Sequence, residues 1–239
     1  MFLFPLFFLH LLHKCNIHVL FTFRNSHSTA EAESIPLQTY TLGTGTSTTP
    51  PTPAQQMFKK FTQEEHVSNM ARVKSSKARK ILSSIREQYE DLEDVLEELF
   101  PDKKTPVNIA TCKDRTELLV RDGLPIFFKP RDGPWIPTLK FLYKYPGILK
   151  AVRVDKGAIR FVLRGAAVAC GGLKQATSEL PEGLKAGEPV ALYAEGKELP
   201  LAVGVMVMST EEIMAAQKGF AIEQTHFLDD ALWKVGELD

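Results

Sequence analysis

The spacing of apolar positions divides the chain into stretches of different kinds. From Met1 to Leu12 they run almost unbroken, as MFLFPLFFLHLL, with Pro5 and His10 as interruptions. A membrane span needs about 20 apolar residues. Carried on to Phe23, the run takes in Lys14, Asn16 and three histidines, so no membrane anchor is expected. A signal-peptide core is the second reading, although the basic residue that should precede such a core is absent. From Asn25 to Gln56 periodicity disappears, and Ser, Thr and Pro dominate around TLGTGTSTTPPTP. Such a stretch buries too little apolar surface to offset the entropy of ordering it, and disorder is expected.

Helical spacing begins at Ser76. Ala78, Ile81, Leu82, Ile85, Tyr89, Leu92, Leu96 and Leu99 recur at three- and four-residue steps and predict one apolar stripe ending before Pro101. Lys74, Lys77, Arg79 and Lys80 lie ahead of an acidic tail, Glu87 to Glu98. That order opposes the dipole of a single helix, so two helices are predicted, broken near Tyr89–Asp91 with Asp91 as a candidate cap. Short strands are predicted at Val107–Thr111, Glu117–Arg121 and Pro125–Lys129, with Asp122-Gly123 as a hairpin turn. In GPWIPTLKFLYKYP, Pro137 suits a first helical turn and Pro146 a stop. Leu139, Leu142 and Tyr143 share one face there, Lys140 and Lys144 another. Val154–Ala166 predicts a helix with Asp155 as N-cap, Gly165 past its end and Ile159, Val162 and Leu163 facing a core. Beyond it, strands are predicted at Ala166–Cys170, Pro189–Ala194 and Leu199–Met208, and a helix at Thr210–Gln217. Short strands and helices without strict alternation point to an α+β class in both halves.

Composition is that of a globular protein: 239 residues, 44% apolar and 24% charged, enough for two small domains. The three cysteines have no metal-ligand spacing and do not read as a disulfide framework. The net charge of zero conceals polarity. Pro101–Arg164 carries fourteen Lys or Arg against six Asp or Glu, whereas Gly165–Asp239 carries five against twelve. A basic middle attracts phosphate; mutual attraction of the two halves explains the same counts.

Lys156, Arg160 and Arg164, at i, i+4 and i+8, would form one basic row on a helix, preceded by Lys150 and Arg153 and closed by Gly165. Such a row can follow a phosphate backbone, and a solvated face has the same spacing. Lys129, Arg131, Lys140 and Lys144 interleave with Phe127, Phe128, Trp135, Phe141, Tyr143 and Tyr145, a pattern able to stack unpaired bases but also common in cores; Trp135, in a Gly-Pro-rich loop, is the candidate platform. AAVACGGL, from Ala166 to Leu173, offers close backbone approach at Gly171 and Gly172, or a tight turn with positive φ. A Walker loop, H-E-x-x-H, H-x-E and G-x-S-x-G are all absent, and the cluster Glu87–Glu98 reads as a solvated face. No catalytic residue, cofactor or metal is expected.

MFKKF, GPWIPTLKFLYKYP, VDKGAIRFVLRGA and EGKELPLAVGVMVMS closely resemble the malignant-T-cell-amplified-sequence family, from Met57 to about Trp233. The resemblance implies an N-terminal α+β domain over 57–147, then a PUA pseudo-barrel over 149–233 that binds RNA through the Lys156–Arg164 helix and the Gly165–Gly172 loop. Residues 1–56 would be an extension outside the native chain. Two loop positions depart from the family: Gly171, where Pro is common, and Ala167, where Asn or Asp is common. The implied function is non-catalytic and cytoplasmic. It is action on the small ribosomal subunit, with tRNA or rRNA and a density-regulated-protein homologue as partners, in non-standard initiation, reinitiation and removal of deacylated tRNA after termination. An RNA-modification accessory protein and a protein-interaction adaptor are the alternatives.

Overall fold

The computed structural model describes residues 58–102 and 105–238. The expectations for residues 1–56, apolar run and disorder alike, lie outside them. The N-terminal half begins with a turn at Phe58–Lys60, a short helix α1 (Gln63–His66) and strand β1 (Val67–Arg72). Helix α2 (Ser75–Gln88) follows, then a 3-10 turn (Glu90–Leu92) and helix α3 (Glu93–Leu99). The predicted break therefore falls at Tyr89. Asp91 is not the cap, however: it lies inside the 3-10 turn, and Leu92 occupies the N-cap position of α3 without a side-chain bond. The stripe read from spacing is the buried one, with Ile81, Ile85, Tyr89, Leu92 and Leu96 all buried.

Strands β2 (Asn108–Cys112), β3 (Glu117–Arg121), β4 (Leu124–Lys129) and β5 (Ile136–Pro137) complete an antiparallel sheet in the order β1-β2-β3-β4-β5. Asp122 and Gly123 turn β3 into β4 with φ of 50° and 75°, the two positive values that a tight hairpin turn requires. Pro137 is part of β5 and does not open the next helix. Helix α4 (Leu139–Lys144) is capped by Thr138, whose Oγ1 accepts from Phe141 N. Phe127 and Phe128 are completely buried, and burying such a side chain stabilises the fold by about 1.5–3 kcal/mol.

The second half opens on strand β6 (Lys150–Val154), a 3-10 turn (Lys156–Ala158) and helix α5 (Ile159–Val162). Next come strand β7 (Val168–Ala169), a 3-10 turn (Cys170–Leu173) and strands β8 (Pro189–Ala194) and β9 (Ala202–Met206). Helix α6 (Thr210–Ala215), strand β10 (Phe220–Phe227) and helix α7 (Ala231–Lys234) end it. The sheet order is β6-β8-β9-β10-β7, with β6 and β8 parallel and the other pairs antiparallel. Ser209 and Glu212 form a capping box on α6.

Besides the two-residue β5, three strands were not visible in the sequence pattern. β1 has no buried residue, so no period-2 signal survives on this edge strand. β10 buries Gln224, Thr225 and His226, polar residues that break an apolar run. In β6 the cations Lys150 and Arg153 interrupt the alternation.

The halves are joined by a common apolar core. Ala191, Val203, Leu232 and Leu238 belong to the same cluster as Phe58, Phe127 and Leu142. Backbone bonds reinforce it, from Ala231 N to Phe58 O at 2.9 Å and from Leu238 N to Gly123 O at 2.7 Å. Tyr143 donates to Pro200 O at 3.1 Å, and its ring lies edge-on to Trp233 at 5.2 Å. At the centre of the junction His226 Nδ1 lies 2.7 Å from Asp230 Oδ2, both side chains being buried. Asp230 also accepts from Phe227 N and, as N-cap of α7, from Trp233 N.

Candidate nucleic-acid interface

The stretch from Val154 to Val162 forms one wall of a groove, which Lys156 and Arg164 flank without lining it. Asp155 Oδ1 accepts from Gly157 N at 2.6 Å and starts a 3-10 turn. Helix α5 then occupies only Ile159–Val162, and the chain closes through Arg164 N to Phe161 O and Gly165 N to Val162 O. The three cations thus do not share one continuous α-helix: Lys156 sits on the 3-10 turn, Arg160 on α5 and Arg164 in the closing turn. All three side chains are exposed. Lys156 lies 3.8 Å from Glu195, a loose surface pair. The Arg160 guanidinium stands 4.7 Å from the Phe161 ring centre. Arg164 has no side-chain partner among the described residues.

The opposite wall is Ala166–Ala169 with Gly172, and the space between has a volume of about 510 Å³. Arg160 and Phe161 line it from the helix side. Phe161 is 48% exposed, unusual for so large an apolar ring, and it is the residue that sequence reasoning passed over. The signal was present: the core stripe Ile159, Val162 and Leu163 leaves position 161 off the buried side, among cations. A guanidinium over an exposed ring beside a groove is suited to holding an unpaired base next to its phosphate.

The glycines have separate roles. Gly165 is buried with φ of 72°, and a Cβ there would lie 2.7 Å from Phe227 Cε1 and 3.2 Å from Lys59 Cε. Its small size serves packing, so it is not a surface for RNA approach. Gly171 and Gly172 have open space where a Cβ would go, and neither has positive φ. The positive-φ turn is therefore not their reason, and Gly172 lines the groove.

The structure separates the remaining sequence candidates from this groove. Lys150 pairs with Glu188 at 2.8 Å and faces a different cleft. Burial works against ionising the Glu188 carboxyl, but the Lys150 hydrogen bond, the Lys185 N–H and the charges of both lysines together hold it below the usual carboxylate range. Arg153 is a structural clamp. It pairs with Glu179 at 3.2 Å, donates to the carbonyls of Ala194 and Lys197 at 2.9 Å each, and lies 5.6 Å from the Tyr193 ring centre. Trp135 is 2% exposed, its backbone bonded to Gln88 and Tyr89, and presents no face for a base. Lys140 donates to Val235 O at 2.6 Å, and desolvation lowers its pKa. Lys129 sits over Trp135 at 5.8 Å, Arg131 beside Asp132 at 3.9 Å and Lys144 over Tyr145 at 4.9 Å. None of these five lines the groove.

The cleft that Lys150 faces is larger, about 620 Å³, and lies between the halves. Its rim mixes Lys150 and Lys185 with Glu90, Asp91 and Glu188, so it offers a polyanion little net attraction. No helix among the described residues is long and apolar enough to cross a membrane.

Comparison with known proteins agrees with this architecture. Residues 61–146 match the Pre-PUA-like domain family and residues 150–228 the PUA domain family. A hypothetical protein of Pyrococcus horikoshii shares the fold, with a TM-score of 0.56 at 24% identity over 70% of this chain and 98% of that one. The Drosophila melanogaster malignant T-cell-amplified sequence 1 homolog is 46% identical over 179 residues, 74% of this chain and 97% of its own. Translation machinery-associated protein 20 of Saccharomyces cerevisiae is 44% identical over the same shares. With a pre-PUA half, a PUA half and this identity over nearly the whole length of its relatives, the chain belongs to the malignant-T-cell-amplified-sequence family.

Proposed function

We propose that this protein is a non-catalytic RNA-binding factor of the cytoplasmic translation machinery. It acts on the small ribosomal subunit in non-standard initiation, reinitiation and release of deacylated tRNA after termination. The observation that carries this reading is the groove between α5 and Ala166–Gly172, where Arg160 and Phe161 face open space beside Lys156 and Arg164. Phosphates supply affinity to such cations with little sequence choice, while the exposed ring accepts any base. The name of the yeast relative, which associates that protein with the translation machinery, supports the same direction.

A density-regulated-protein homologue is the proposed protein partner, and the outer face of α3 its docking surface. Glu93, Asp94 and Glu97 are exposed there, where they repel phosphate and suit a basic partner surface. The test is purification of the tagged full chain from cells, with sedimentation on sucrose gradients. Wild type should travel with small subunits and tRNA. A Lys156→Gln, Arg160→Gln, Arg164→Gln variant that folds but travels unchanged would overturn the reading.

A further inference from the structure

We propose that Lys59, from the N-terminal half, is a fourth phosphate-binding cation of the groove, so that one RNA strand is gripped across the junction of the two halves. The proposal rests on the groove being the RNA surface. Phe58-Lys59-Lys60-Phe61 places two cations between two aromatic anchors. Phe58 and Phe61 are 2% and 5% exposed and meet edge-on at 5.7 Å. Phe58 also meets Phe128 at 5.1 Å and His226 at 6.1 Å, and its carbonyl accepts from Ala231 N. Both ends of the turn are thereby held in the junction, and both lysines are left exposed.

The two lysines differ in what lies beneath them. The Lys59 stem rests over Gly165: a Cβ at 165 would come 3.2 Å from Lys59 Cε. The ammonium is one bond further, above the residue that joins Arg164 to Ala166 of the groove wall. Among the described residues it has no hydrogen-bond or ionic partner, unlike Lys150 and Arg153. A lysine stem seated on an apolar surface keeps its charged head in water. Its backbone is already fixed, so gripping a phosphate costs it less freedom than it would cost an unseated side chain. Glycine at 165 then makes room for two neighbours at once, the Phe227 ring and the Lys59 stem.

The experiment uses the full chain and an unmodified tRNA transcript, with affinity measured across a salt series. Lys59→Gln should lower the salt slope by about 0.7, the share of one phosphate contact on a single strand. The fold loss of affinity between about 50 and about 200 mM salt should then shrink by about 2.6-fold. Lys59→Arg should keep the wild-type slope, and Lys60→Gln should change it less than Lys59→Gln. A wild-type slope in Lys59→Gln, with a reduced slope in Arg160→Gln and Arg164→Gln, overturns this inference alone. Equal effects from Lys59→Gln and Lys60→Gln overturn the seat on Gly165. No effect from the two arginine variants overturns the groove reading itself.

Discussion

Phe227 closes over Gly165 so tightly that a Cβ at position 165 would lie 2.7 Å from its Cε1. Gly165 also holds φ at 72°, a conformation that costs any other residue free energy. Gly165→Ala should therefore destabilise the protein by about 2–4 kcal/mol through backbone strain and overpacking together. Urea unfolding measures it, and an unchanged midpoint would show that the turn relaxes freely.

Clamped and free arginines should separate by assay. Arg153→Gln should cost about 1–3 kcal/mol of stability by leaving carbonyls and Glu179 without their donor, and should leave the salt slope of RNA binding as it is. The Lys156→Gln, Arg160→Gln, Arg164→Gln variant should do the reverse. Its slope should fall by about 2, and its stability should change by about 0.5 kcal/mol or less per site. A slope change in Arg153→Gln would mean that the clamp opens on RNA.

Asp230 is the polar centre of the junction, accepting from two backbone N–H groups and lying against His226. Asp230→Ala should cost about 2–4 kcal/mol, since it removes a helix cap and leaves buried donors unpaired. Hydrogen exchange should show lost protection in β10 and in the Phe58 turn together. Loss confined to α7 would mean that the junction does not depend on this carboxylate.

Charge reversal on α3 tests the partner surface. Glu93→Lys with Glu97→Lys, both exposed, should weaken capture of the density-regulated-protein homologue by about tenfold while leaving the fold intact. Undiminished capture would place the interface elsewhere. Excising 57–146 is a poor test, because Phe58, Phe127 and Leu142 share their core with Ala191 and Val203.

Stability should also fall in alkali. Burial first, and the negative charge of Asp114 second, push the Cys112 thiol from 9.0 up to about 12. The folded state keeps that proton after the unfolded chain has released it, so stability is whole below pH 9.0 and is lost as pH rises through about 12. Burial moves Tyr89 in the same direction. Cys112→Ala should flatten the fall of the urea midpoint between about pH 9 and about pH 10.5, Tyr89 leaving a residual slope. Parallel curves for variant and wild type would exclude the thiol as a contributor.

Much of the fold was legible in local pattern. The stripe from Ala78 to Leu99 has helical period because a helix repeats every few residues, and the Asp122-Gly123 turn declares itself through residues that tolerate positive φ. The strands at β1, β6 and β10 were hidden because an edge position, two cations and three buried polar residues erased the alternation. The site was legible as a set of cations and small residues, since charge and size belong to the residue alone.

Which cations are free depended on partners far away in the chain. Arg153 is tied to Glu179, 26 residues on, and Lys140 to a carbonyl 95 residues on. Gly165 owes its size to Phe227, and Phe161 owes its exposure to a core that takes Val162 instead. The sequence by itself determined the apolar periodicity, the turns, the basic stretch and the family. Only the tertiary structure decided which charged groups were neutralised within the fold and which were left facing open space, because Coulomb and packing terms depend on separation in space, not along the chain.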